Sequence, residues 1–269
     1  MLYEIHELTL GGMLDQSVKL MKNRFKMLFG IACMLYVPFV LIQELSACYL
    51  GPHIPDHPTQ QQIAAFYQEL SAYRPVELGL MAILFLIVMP LSNAAVIHGV
   101  ANEYLGRPVN AGQCIRRGLR LMAPLVWTSL ISGVIIALGL IALIIPGIFL
   151  ALRYWLVSHV VVIEGLSRSA ALKRSGALMK GNGGTALVLG LLLGIIGLAA
   201  QFASSFVPFK PLSMVVQAGL MGAMFIFGAG ASVALYFSCR CKFEHFDLAV
   251  LAESVARDNA IPAGGEAAF

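Results

Sequence analysis

Long apolar runs alternate along this chain with short basic segments. Crossing the bilayer hydrocarbon takes about 20 apolar residues at the rise of an α-helix, and six stretches meet that length. The first covers about residues 27–50. The second covers about 77–98 and holds Pro90, where a bend is expected. From Pro124 to Ile163 the only formal charge in about forty residues is Arg153. That run is too long for one span and suits two, with "IPG" at Ile145–Gly147 as the turn between them. The two spans then fall at 124–144 and 148–164. The fifth covers about 185–207 and ends at "PFKP", and the sixth covers about 212–238. The pattern predicts an all-α polytopic membrane bundle of six transmembrane helices with added amphipathic interfacial helices. Segment 1–26 leads in, and 240–269 forms a tail. The first apolar run begins only near Met27 and is too long for the apolar region of a signal peptide, so it is expected to stay as an anchor.

The polar segments between these runs carry the orientation. Lys19, Lys22, Arg24, Lys26, Arg107, Arg116, Arg117, Arg120, Arg168, Lys173, Arg174, Lys180, Arg240, Lys242 and Arg257 fall on one side, against Arg74 and Lys210 on the other. Basic residues collect on cytoplasmic loops, so both termini are expected in the cytoplasm of a bacterial inner (plasma) membrane. The largest exterior segment, about 51–76, contains "QQQIAAFYQELSAY", which reads as a short amphipathic helix. On the basic side "SVKLMKNRFKM" (17–27), "CIRRGLRLMAP" (114–124) and "ALKRSGALMKG" (171–181) look alike, each leading into an outward span. They are expected to lie as interfacial helices on an anionic leaflet, with Lys19, Lys22, Arg116, Arg117, Arg120, Lys173 and Arg174 facing lipid headgroups. The chain then reads either as three repeats of one unit or as three unrelated entry helices of the same composition.

Composition agrees with the pattern. The 269 residues are 59% hydrophobic and 12% charged, and the mean hydropathy is +0.82. A soluble domain is about 25% charged. The net charge of +4 belongs to a membrane surface before nucleic acid, because the basic segments are interleaved with Leu and Met instead of stacking aromatics. Five cysteines form no disulfide framework. Cys239-x-Cys241 with His245 falls short of a metal-ligand set, so neither metal nor cofactor is expected. Phosphate-binding, zinc-protease and serine-hydrolase motifs are missing from the sequence, and "KGNGG" (180–184) reads as a break ahead of a span.

Polar residues inside the spans are the candidate chemistry, since an intramembrane charge costs roughly 2.5–3.5 kcal/mol on insertion scales. Counted at about 1.5 Å per residue, Arg153 lies about 8 Å inward from the "IPG" turn and Glu44 lies at a similar depth. Gln201 and Gln217 complete an outer-third layer. Either Arg153 pairs with Glu44 across the bundle, lining a cavity for a headgroup or another anion, or it snorkels to nearby headgroups. Asn93, His98 and His159 form a second set, read mainly as interhelical hydrogen bonding. Gly190-x-x-x-Gly194 and Gly228-x-Gly230 predict close helix contact. In the tail Arg240 and Glu244 stand at i, i+4 and share a helical face, while Phe243, Phe246 and Val250 are expected to seat it on the inner surface.

Three stretches together resemble the glycerophosphoryl diester phosphodiesterase membrane domain family and the related YciC-like integral membrane proteins. "IPGIFLALRYWLVSHVVVIEG" is similar to that family's Pro-Gly turn, Arg-Tyr pair and closing Glu. "ALKRSGALMKGN" resembles its basic, Ser-containing helix, and "LYFSCRCKFEHFDL" its closing Tyr, Arg, Glu and Phe-Asp pattern. His159 departs from it, standing where the family often has Pro. The resemblance implies a multi-span domain that is often joined to a soluble phosphodiesterase. Here the polar stretches are too short for that catalytic domain, so a non-enzymatic scaffold or accessory module is expected. Its partners would be anionic inner-leaflet lipids or another protein. The alternatives are a transporter or lipid-handling protein using the outer polar layer and, further off, a membrane-embedded headgroup enzyme.

Overall fold

The computed structural model describes residues 6–45, 59–204, 206–207 and 209–249, which are helical almost throughout and contain no strand. In chain order the helices are α1 (Leu10–Leu45), α2 (Gln60–Tyr104), α3 (Ala111–Ala142), α4 (Ile144–Arg153), α5 (Val157–His159, continuing as a π-helical turn Val160–Glu164), α6 (Arg168–Leu178), α7 (Gly183–Ser204) and α8 (Lys210–Glu244). Six stretches are long and apolar enough to cross a membrane: 10–43, 77–104, 111–142, 144–164, 183–204 and 212–244. The bundle is therefore all-α with six spans, as the apolar runs predict. The side chains of Glu44, Arg74 and Lys210, and Cys48, Val250 and Arg257, lie outside the described residues.

The expected interfacial helices are mostly parts of longer ones. A break inside lipid would leave backbone N–H and C=O groups without partners, so a chain that enters as a helix gains by staying one. α1 starts at Leu10 and is two helices joined at a kink, Arg24 departing from helical dihedrals (φ −125°, ψ 22°), three residues before the expected boundary at Met27. The segment ahead of this kink packs one face into the bundle. Met13, Gln16, Ser17 and Leu20 are buried, Leu8 N–H donates to Ser238 Oγ at 3.0 Å, and Ser17 lies against Gly230. The second basic segment is the start of α3, helical through Pro124. α2 likewise runs through Pro75 and Pro90, which fuses the expected exterior helix to its span. Its start is fixed by a capping box. Thr59 Oγ1 accepts from Gln62 N–H at 3.4 Å and Gln62 Oε1 accepts from Thr59 N–H at 2.9 Å.

The α3–α4 reversal is tighter than "IPG" implies. Leu143 alone is non-helical (φ −163°, ψ 143°), so the turn precedes the proline. Pro146 sits in the first turn of α4, where an N–H would have no intrahelical acceptor. Gly147 serves close approach: a Cβ there would lie 2.7 Å from Leu140 Cα. The Cβ of a side chain at Gly139 would lie 3.2 Å from Gly147 Cα.

The fourth span is not one helix. α4 stops at Arg153, residues 154–156 bend, and the chain continues through α5 into the π turn before Gly165 (φ +73°) ends it. The β-branched run packs tightly as its composition predicts, with Val160, Val161 and Val162 all buried. α6 then starts against α3. Arg168 N–H donates to Thr128 Oγ1 at 2.9 Å while the Thr128 hydroxyl donates to the Pro124 carbonyl at 2.6 Å.

Towards the basic end Tyr104, the last residue of α2, stacks on Phe237 with centroids 5.2 Å apart. The glycine pairs of the last two spans divide. Gly190 meets the Trp155 ring, where a Cβ would lie 2.9 Å away, and Gly230 meets Ser17, whereas Gly194 and Gly228 face open space. Large apolar side chains such as Leu138, Ile141, Leu198 and Phe202 point outward, as a bilayer requires and water would penalise.

Gly147→Ala is expected to lower detergent-solubilised thermal stability by about 1–3 kcal/mol, because its Cβ meets backbone that cannot swing away. Gly133→Ala, with open space around it, is expected to leave the melting temperature unchanged or raise it slightly. Equal melts for the two variants would refute the tight α3–α4 contact.

Candidate functional site

The three stretches noted in the sequence converge at one end of the bundle. Glu164 comes from the π turn, Arg174 from α6, and Tyr236, Arg240 and Glu244 from the last turns of α8. Arg174 Nε donates to Glu164 Oε2 at 2.8 Å and Oε1 at 3.0 Å, and its Nη1 pairs with Glu244 Oε1. The Tyr236 hydroxyl donates to Glu164 Oε1 at 2.8 Å. Arg240 Nε donates to Glu244 Oε2 at 2.9 Å, which places this pair on one face as its i, i+4 spacing predicts. Arg240 also lies over the Phe246 ring at 3.9 Å, a cation–π contact. Hydrogen bonds from Arg174 to Glu244 first, and to Glu164 next, raise the pKa of its guanidinium above the usual arginine range.

The same end is tied by neighbouring contacts. Asn182 Nδ2 donates to Cys239 Sγ at 3.2 Å, Lys242 pairs with Glu7 at 3.2 Å, and Arg24 pairs with Glu103 at 3.0 Å. Phe246 stacks on Phe237 at 5.7 Å, so this tail aromatic packs into the bundle, while Phe243 is exposed.

The predicted lipid-facing cations separate into groups. Lys22, Arg116, Arg120 and Lys173 are exposed. Lys19 is exposed and paired with Asp15 at 2.8 Å. Arg117 is half-buried, with its Nε enclosed and without an acceptor. Arg174 does not face lipid, because it is held by two carboxylates. The reason lies in α6, a short helix of its own between two spans. It buries Ala171, Leu172, Ser175 and Leu178 against the bundle and leaves Lys173 exposed on its other face.

The outer polar layer forms only in part. Gln217 Nε2 donates to Gln201 Oε1 at 3.3 Å. Arg153 is elsewhere: its carbonyl accepts from Ser175 Oγ at 3.0 Å, and its side chain lies across Gly176 and near Lys180. The count from the "IPG" turn to Arg153 runs within α4, but it took the turn to lie level with the ends of the other spans, and α6 folds up against Arg153 instead. The Glu44 side chain lies outside the described residues.

The second polar set also divides. His159 and Asn93 line one cavity of about 310 Å³ with Trp155 and Ser158, whereas His98 accepts from Asn102 Nδ2 at its carbonyl, 2.7 Å away on its own helix. The Ser232 hydroxyl donates to the Ala229 carbonyl at 3.0 Å. The 2.9 Å contact to His159 Nε2 is then an Nε2–H donation. Nδ1 is left as a buried acceptor without a partner. Among the described residues no group of three or more His, Cys, Asp or Glu side chains is placed to hold a metal ion.

Fold and site together define a multi-pass α-helical membrane protein with a polar clasp at its basic end. Compared with family models, curated proteins and solved structures, the chain matches none.

Arg174→Ala is expected to cost about 3 kcal/mol, because it leaves Glu164 without a cation and Glu244 with Arg240 alone. Arg174→Lys is expected to recover less than half of that, since an ammonium cannot span both in the same fork. Thermal melts in detergent check both. A wild-type melt for Arg174→Ala would show that the clasp does not hold the fold.

Proposed function

We propose that this chain is a non-enzymatic membrane scaffold or accessory module whose basic end engages anionic lipid. In this reading the basic end lies on the inner leaflet of a bacterial plasma membrane, with both termini in the cytoplasm. The observation that carries it is the division of labour among the polar groups. Glu164, Arg174, Tyr236, Arg240 and Glu244 are spent on one another, while Lys22, Lys26, Arg116, Arg120 and Lys173 remain exposed. Each such cation near an anionic leaflet contributes about 1 kcal/mol of attraction. The resemblance to the glycerophosphoryl diester phosphodiesterase membrane domain family fits this reading, because its stretches supply the clasp. A transport role using the outer polar layer has less support, since Arg153 stands apart from Gln201 and Gln217.

Lipids retained by the purified protein, identified by mass spectrometry, are expected to be enriched in phosphatidylglycerol over the source membrane. Retention matching bulk composition would overturn the lipid reading. Sidedness is best read at Lys173→Cys in a background lacking the native cysteines. Cys114 is fully buried against Gly99 and would react poorly from either side. Labelling by an impermeant maleimide is expected in inverted vesicles and not in intact cells. The reverse pattern would overturn the orientation.

A further inference from the structure

Arg153 is the charge that the clasp leaves out. It is exposed, and no carboxylate among the described residues pairs with its guanidinium. It opens onto a cavity of about 440 Å³ between α4 and the α6–α7 turn, within the range of small-ligand sites. Lys180 lines the same cavity, so two cations share one space. The wall is apolar, formed by Leu152 and by Phe149, which is 64% exposed toward the lipid-facing side. No Asp or Glu contributes to the lining.

The backbone is shaped for this arrangement. Gly176 lets the arginine lie against α6, where a Cβ would fall 2.7 Å from Nε and 3.4 Å from Nη2. The α6–α7 turn passes through Gly181 in the left-handed region (φ +81°) and delivers Gly183, the first residue of the 22-residue α7, to the cavity. Its N-terminal N–H groups add partial positive charge beside the two cations.

We propose that this cavity binds one phosphoryl group, carried by an anionic lipid headgroup or by free phosphate. Arg153 supplies a planar two-pronged donor and Lys180 a point charge. Phe149 and Leu152 form an apolar wall along which an acyl chain lies when the ligand is lipid. The proposal deepens the lipid-engaging reading above and rests on it, but it assigns the contact to one built site instead of the diffuse basic rim.

Native mass spectrometry of the full chain in neutral detergent, titrated with phosphatidylglycerol or phosphatidylcholine, tests it. One phosphatidylglycerol is expected to bind more tightly than the rest. Arg153→Gln and Lys180→Gln are each expected to weaken that lipid about tenfold, the size of one charge-assisted hydrogen bond. Gly176→Ala keeps every charge but displaces the guanidinium, and is expected to weaken it as well, which keeps the test open if an arginine variant misfolds. Wild-type binding by Gly176→Ala and Lys180→Gln would overturn the site. Equal losses in Lys173→Gln and Arg120→Gln would also overturn it, by showing diffuse attraction, and would leave the lipid reading standing. No preference for phosphatidylglycerol in the wild type would overturn both. Displacement of the bound lipid by inorganic phosphate would support a phosphoryl site open to the aqueous source. Resistance to displacement would support a site confined to lipid.

Discussion

Arg174 between Glu164 and Glu244 is the contact on which the basic end depends. Ionised groups at the edge of a low-dielectric region are costly alone and strongly attracted in pairs. One guanidinium serving two carboxylates, with Tyr236 and Arg240 completing their hydrogen bonds, satisfies all of them at once. The cluster joins the π turn and α6, neighbours in the chain, to the distant end of α8. It also constrains the path of the fourth span. Arg153 and Glu164 both contact adjacent residues of α6, through Ser175 and Arg174. A straight helix would separate them by roughly 16 Å along its axis. The bend at residues 154–156 and the wider π turn bring both within reach of one short helix.

That requirement explains why α6 is docked while its counterparts are fused to spans. Its buried residues, Ala171, Leu172, Ser175 and Leu178, recur at the spacing of one helical face. Small side chains on that face let the helix approach the bend closely, and the Ser175 hydroxyl satisfies the Arg153 carbonyl where α4 ends. Once α6 is seated, Gly176 and the α6–α7 turn are carried to Arg153. The cavity there follows from the clasp, because the same docking that satisfies Arg174 brings Lys180 beside Arg153.

Span number was legible in the residues because length and apolarity suffice to set it, and each expected span has its helix. The Arg240–Glu244 pair was legible because helical spacing alone places it. The meeting of Gln201 and Gln217 followed from depth counting, which holds where two regular helices flank a short connection. For Arg153 the same count gave its distance from the turn but not its neighbours, because α6 folds up against the end of α4. "IPG" misplaced the turn because Pro146 and Gly147 each have a second use, as an early-helix residue and as a contact surface. The nature of α6 was hidden because alternating cations and small apolar residues suit an interface and a docked helix equally. Only the carboxylates that Arg174 meets tell the two apart, and they lie 10 residues before and 70 residues after it in the chain.

The cations at the basic end thus fall into three environments. Arg24, Arg174 and Arg240 have carboxylates of the chain itself. Lys22, Arg116, Arg120 and Lys173 are exposed on the surface, where water or loosely held counter-ions serve them. Arg153 and Lys180 are exposed too, but they share a cavity walled by Phe149 and Leu152 and lined by no acid. Two like charges in such a space repel unless an anion joins them, and the attraction of that anion grows as the surroundings become less polar. For Arg24, Arg174 and Arg240 the chain supplied glutamates within hydrogen-bond reach. At Arg153 it supplied a glycine instead, which makes room for the guanidinium without neutralising it.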